Sequence, residues 1–133
     1  LWCIDDFSME SHVTPSARFR FDQHVAACGL TERVTLLEGK SEQVSWPERV
    51  DFCFVDGDHS YESCKADVEQ AMTRGASCIV VHDTRSLEGP CEWLAEFRKR
   101  QGKSWDVLEL PQDGGLAICV RKDMTGSPSF IEA

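Results

Sequence analysis

The sequence predicts a single α/β domain built on a doubly wound, mostly parallel sheet that ends in a C-terminal antiparallel hairpin. Three observations predict it. Short unbroken apolar runs recur along the 133-residue chain, amphipathic stretches separate them, and the first four runs each end in an acid. Buried parallel strands read as continuous apolar runs and need helical crossovers, so the alternation itself carries the topology. A chain of this length supplies one core and is too short for two ordinary domains. The domain is expected over 1–122, with 123–133 as a loose tail.

Leu1-Trp2-Cys3-Ile4 opens the chain as a strand that ends in Asp5-Asp6. Pro15-Ser16 then starts a helix with Phe19, Val25 and Cys28 on one face and Gly29 as its stop. Val34 to Leu37 is the second strand and ends in Glu38-Gly39. Val50 to Val55 is the third, followed by Asp56-Gly57. From Tyr61 to Met72 the small or apolar Cys64, Val68, Ala71 and Met72 recur at helical spacing, and Gly75 closes the helix. Cys78 to Val81 is a fully apolar strand that ends in His82-Asp83. Gly89 to Gly102 reads as an amphipathic helix with Trp93, Leu94 and Phe97 inward. Trp105 to Leu110 and Leu116 to Val120 are joined by Pro111-Gln112-Asp113-Gly114-Gly115, which is hairpin chemistry.

Composition narrows the function classes. A formal charge of −9 and a pI near 4.8 repel phosphate backbones, and no basic cluster with interleaved aromatics offsets this, so nucleic acid is not an expected partner. No apolar run approaches the ~20 residues of a membrane helix. The first dozen residues hold Asp5, Asp6 and Glu10 with no basic region, so no signal peptide is expected there. The seven cysteines are odd in number and lack a CxxC pair, and Cys53, Cys78 and Cys119 lie in apolar runs. They read as buried thiols in a reducing compartment, which makes the expected location cytoplasmic.

In doubly wound sheets ligands bind outside the carboxyl ends of the strands, where Asp5, Glu38, Asp56 and Asp83 fall. Asp56, Asp58, His59, His82 and Asp83 form the richest constellation. Asp56 and Asp83 lie 27 residues apart, about one strand-helix-strand crossover, which puts them at the ends of adjacent strands. Carboxylates gathered there favour a bound cation, a shared proton or a substrate hydroxyl. Oxygen donors alone suit Mg²⁺ or Ca²⁺, whereas adding His59 or His82 shifts the preference toward Zn²⁺ or Fe²⁺. Each residue alone has a plainer reading: Asp58 or Ser60 as a helix cap, a lone histidine as a structural hydrogen-bonding group. Their co-location favours the ligand site. Tyr61 is either an aromatic wall of that site or a helix-packing residue. No Ser-His-Asp order, nucleophile elbow or HExxH motif is present, and Gly114-Gly115 lacks the strand-to-helix context of a phosphate loop.

The stretch Phe54-Val55-Asp56-Gly57-Asp58-His59-Ser60-Tyr61-Glu62, then Lys65-Ala66-Asp67, then Val80-Val81-His82-Asp83-Thr84, resembles the class I S-adenosylmethionine-dependent methyltransferases, in their small-molecule O-methyltransferase-like group. Trp2 to Asp5 is similar to the family's second strand, whose terminal acid bonds the cofactor ribose. Arg33-Val34 to Gly39-Lys40-Ser41 resembles the segment leading to the adenine pocket, although Lys40 stands where an Asp is usual. The hairpin is similar to the family's last two strands.

The resemblance implies a Rossmann-like sheet and methyl transfer to a hydroxyl of a small molecule. On it, S-adenosylmethionine is held by Asp5, Glu38, Ser41 and Asp56, a divalent metal such as Mg²⁺ by Asp56, Asp83 and His82, and the catalytic pair is His59, as general base, with Asp56. It also implies that the family's first strand and glycine-rich loop would precede Leu1, between the strands containing Ile4 and Phe54. Relative to the family the chain is thus truncated at its N-terminus. Those two strands then pair directly, or another segment or a second copy of the chain fills the gap, so a homo-oligomer or a rearranged sheet is expected. Two other functions stay open: a non-catalytic methyltransferase-fold protein acting as a binding or oligomerisation module, and a metal-dependent hydrolase using Asp56, His59, His82 and Asp83.

Overall fold

The computed structural model describes residues 1–8 and 15–124, so the expected tail lies outside the described residues from 125 onward. The fold is mixed α/β and forms two compact units, Leu1–Pro47 and Glu48–Ala133.

In the first unit β1 (Trp2–Asp5) pairs in parallel with β2 (Thr35–Glu38), with Asp5 opposite Glu38. Between them runs α1 (Ala17–Ala27), whose cap is Ser16: its hydroxyl accepts from the Phe19 N–H at 3.3 Å. The helix stands where the sequence predicts it, but the expected apolar face is not buried. Phe19 is half exposed, Cys28 is exposed, and α1 has no buried residue. Arg18, Arg20 and Asp22 interrupt the apolar spacing, leaving too narrow a stripe to be drawn into a core.

The second unit holds a four-stranded sheet in the order β3 (Phe52–Val55), β4 (Cys78–His82), β6 (Leu116–Arg121), β5 (Trp105–Leu110). β3 and β4 are parallel and are linked by α2 (Tyr61–Thr73), while the hairpin adds β6 antiparallel to β4 and β5 antiparallel to β6. The strands containing Ile4 and Phe54 belong to different sheets. α3 (Glu88–Gln101) packs on α2, and α2 on β3.

Side chains alternate across the strands, so one sheet face carries Val55, Ile79, Val81, Ala117 and Cys119, all buried, together with Cys64, Val68 and Ala71 of α2 and Leu94 of α3. Trp93, Phe97 and Trp105 stack at its edge with ring centroids 5.0 and 5.8 Å apart. The cross-strand row Phe54, Val80, Ile118, Leu108 lies on the opposite face, where Phe52, Phe54 and Leu108 are more than half exposed.

All seven cysteines are free thiols. Cys119 is buried as expected, but Cys53 and Cys78 are only partly so. Cys53 sits on an edge strand, and Cys78, although flanked by Phe52 and Val120, lies on the sheet face where Phe52 and Phe54 are more than half exposed. Burial pushes the Cys64 and Cys119 thiols up to about 12 and the Cys53 thiol to about 11.

Candidate metal-binding and acceptor site

β3 and β4 run side by side with Val55 opposite Val81, so the residues that leave them emerge at one edge. Asp56 follows β3 directly, His82 ends β4, and Asp83 follows it. The loop after β3 then turns sharply. Asp58 Oδ1 accepts from the Ser60 N–H at 2.8 Å, and the Ser60 hydroxyl caps α2 by accepting from the Ser63 N–H at 3.2 Å. The turn carries His59 back over the strand ends. It is seated on the start of α3, where a Cβ on Gly89 would fall 2.2 Å from the His59 carbonyl oxygen, so only glycine admits this approach.

Four side chains converge as a result. His59 Nε2 lies 3.1 Å from Asp83 Oδ2 and 3.9 Å from Asp56 Oδ1. His82 Nδ1 lies 3.3 Å from Asp56 Oδ1 and 3.3 Å from Asp83 Oδ2. Asp56, His59 and Asp83 each offer one donor atom, all within 4.8 Å of one another. His82 Nδ1 is enclosed and, beside these two ion pairs, makes no well-formed hydrogen bond among the described residues. Of the four, Asp83 is the most withdrawn, its side chain 18% exposed against 44% for His59.

The charges respond to this packing. Burial alone would lower the His82 pKa, but the Asp56 and Asp83 carboxylates outweigh it and hold the imidazole above its usual range. Asp83 is held below the ordinary carboxylate value, first by the Ser86 hydroxyl, which donates to Oδ1 at 2.8 Å, and then, against the opposing effect of burial, by the two histidines. Asp83 adopts φ +58, a left-handed conformation rare for a residue with a side chain.

Tyr61 proves to be tied to a neighbouring helix. Its hydroxyl bonds to Glu96 of α3, and Lys65 Nζ and Arg100 Nη1 lie 3.6 and 2.9 Å from that carboxylate. The groove between α2 and α3, about 280 Å³, is lined by residues of this network and by none of the four convergent side chains.

The other sequence-derived site residues belong to the first unit. Asp5 and Glu38 end neighbouring strands. Asp5 Oδ1 accepts from the Phe7 N–H at 2.7 Å, and Glu38 Oε2 from Arg18 Nε at 3.1 Å. Ser41 accepts through its carbonyl from Trp46 Nε1 at 2.8 Å, which leaves its hydroxyl out of that bond. Sequence reasoning missed Ser86, Gly89 and Arg18. Ser86 lies three residues past an acid and Gly89 begins a helix, which is a signal only once the strand ends are known.

No curated protein matches the chain significantly. Among solved structures it is similar to CalS11, described as a TDP-rhamnose 3′-O-methyltransferase of calicheamicin biosynthesis, at 17% identity and a TM-score of 0.59, covering 91% of this chain and 58% of that one. It is also similar to the methyltransferase PaMTH1 of Podospora anserina, solved with SAH bound, at 17% identity and a TM-score of 0.50, covering 81% and 58%. The chain therefore spans less than two thirds of either structure's length, and at this identity the likeness is one of fold. A family profile described as a methyltransferase domain matches residues 1–84, which include β1 to β4 and all four convergent side chains. By that match over most of its length, the chain belongs to the methyltransferase-domain family.

Proposed function

We propose that this chain serves S-adenosylmethionine-dependent O-methylation of a small hydroxylated molecule, with Asp56, Asp83 and His82 holding a divalent cation such as Mg²⁺ beside the acceptor. The observation that carries the reading is the pair of carboxylates at the ends of adjacent parallel strands with the enclosed His82 Nδ1 3.3 Å from each. The family match and the O-methyltransferase and SAH-bound neighbours support the reaction class and the cofactor.

The donors fit the ion. The two hard carboxylate oxygens suit Mg²⁺ or Mn²⁺, the borderline His82 nitrogen moves the preference toward Mn²⁺ and the later divalent ions, and a cation would replace the proton that Nδ1 shares with the two carboxylates. When bound, S-adenosylmethionine supplies an electrophilic methyl group, and the cation supplies charge that binds the acceptor oxygen and acidifies its hydroxyl. The protein's own part is positional and acid-base. Asp56 and Asp83 fix the acceptor's place at the strand ends. His59, the more exposed imidazole, takes the hydroxyl proton on Nε2 as general base. In the first unit, Asp5 and Glu38 each keep one carboxylate oxygen outside the bonds described above; Asp5 would hold the cofactor's ribose, and Glu38 and Ser41 would line the cofactor side with it. The acidic composition suits a small molecule over a nucleic acid.

Mn²⁺ added to the chain with ¹⁵N-labelled histidine tests the reading. The His59 and His82 imidazole resonances should broaden well before that of His24, and excess Mg²⁺ should reverse the effect. Equal broadening of His24, His59 and His82, three of the chain's four histidines, would overturn it.

A further inference from the structure

We infer that the tip of the β5–β6 hairpin, together with Ser86, is a positioning device that holds one oxygen of Asp83 so that the other is presented to the cation. The inference rests on the cation reading above and deepens it by naming residues outside the donor set.

The structure divides the two oxygens of Asp83 between two tasks. Oδ1 accepts the Ser86 hydroxyl at 2.8 Å, whereas Oδ2 faces His59 Nε2 at 3.1 Å and His82 Nδ1 at 3.3 Å. A carboxylate free to rotate about its last bond would exchange these oxygens. The Ser86 bond fixes which one points inward.

The hairpin tip in turn fixes Ser86. The Gly114 carbonyl accepts from the Arg85 N–H at 2.9 Å and the Ser86 N–H at 3.0 Å, and the Gly115 carbonyl from the Thr84 N–H at 3.3 Å. Arg85 Nε reaches Glu109 of β5 at 2.6 Å, which anchors the same loop to the hairpin's own strand. These bonds hold the chain in the turn that gives Asp83 its φ of +58.

The approach is too close for any side chain at the tip. A Cβ on Gly114 would lie 2.5 Å from Asp83 Oδ1 and 2.7 Å from Ser86 Oγ, at a φ of +85 that disfavours L residues in any case. The glycine is therefore needed against the carboxylate itself and not only for the turn. Groups that orient metal ligands in this way commonly change metal affinity about 10- to 100-fold when removed.

The test compares Mn²⁺ affinity, by electron paramagnetic resonance of the free ion, among the intact chain and its Ser86→Ala, Ser86→Thr and Gly114→Ala variants, with urea unfolding run on each. Ser86 is exposed, so its variants keep the fold. Ser86→Ala should weaken Mn²⁺ binding roughly 10-fold with an unchanged unfolding midpoint, Ser86→Thr should restore it, and Gly114→Ala should weaken it at least as much. A merely structural serine would move the midpoint and leave affinity alone. If the intact chain binds Mn²⁺ and Ser86→Ala binds it equally well, this inference falls and the cation reading stands. If the intact chain takes up no Mn²⁺, both fall.

Discussion

Replacing Thr84 with valine removes a hydroxyl that the fold buries without a partner. Thr84 is 1% exposed and its Oγ1 makes no hydrogen bond among the described residues, although its backbone N–H is held by Gly115. Leaving a buried hydroxyl unsatisfied costs roughly 1–3 kcal/mol. Valine keeps the β-branched shape and its rotamer preference, so the new methyl enters space already occupied by the hydroxyl. Thr84→Val should therefore stabilise the chain by about 1–2 kcal/mol, the lower part of that range, because a methyl is slightly larger than the hydroxyl whose space it takes. For a cooperative unit of 60–100 residues this raises Tm by roughly 4–8 °C per kcal/mol. Urea unfolding followed by tryptophan fluorescence is the assay, since Trp93 and Trp105 are buried in the same unit and report its opening. The slope with urea should stay constant, which confines the effect to stability. A loss of more than about 1 kcal/mol at constant slope would refute the reasoning, because it would mean that the hydroxyl has a partner such as an enclosed water.

Three further outcomes follow from the same structure. Ser60→Ala removes the hydroxyl that caps α2 and should cost about 1 kcal/mol in the same unfolding experiment; no loss would show that Asp58 or water takes over the cap. Iodoacetamide on the folded chain should modify Cys28 and Cys91, which are exposed, and spare Cys64 and Cys119, whose thiols burial pushes up to about 12, until denaturant is added; mass spectrometry that finds either buried site labelled first contradicts the packing. Stability should also depend on pH with a definite sign. Asp83 is lowered in the fold, so its contribution is present above its ordinary 3.8 and lost as pH falls through the folded value. His82 is raised, so its contribution is complete below 6.5 and lost as pH rises through its folded value. Metal-free chain should thus be most stable between about 3.8 and 6.5; a maximum above pH 8 would rule out the ion pairing.

Much of this fold could be read from the chain because its signals are local. Unbroken apolar runs such as Cys78 to Val81 place strands to within a residue or two, and Ser16 and Ser60 mark helix starts through caps that need only three residues. The 27-residue spacing of Asp56 and Asp83 anticipated adjacent strand ends, and the parallel register of β3 and β4 supplies them. What could not be read depends on distant pairing. The Tyr61–Glu96 bond joins residues 35 apart, and the contact of Gly114 with Asp83 requires the hairpin to fold back beside β4. Helical spacing also overstated α1, since Phe19 recurs at the right interval but its charged neighbours keep it at the surface. Periodicity records what a segment is able to bury; only the tertiary fold decides whether a partner surface is there.

On the proposed function, the acids ending β3 and β4 hold a divalent cation. Calorimetric titration of the chain with Mg²⁺, beside an Asp83→Asn variant that keeps the Ser86 bond, tests it most directly. One ion bound per chain, with affinity at least roughly 10-fold weaker in the variant, is the expected result; a folded chain that binds no Mg²⁺, or a variant that binds it as tightly, contradicts the claim.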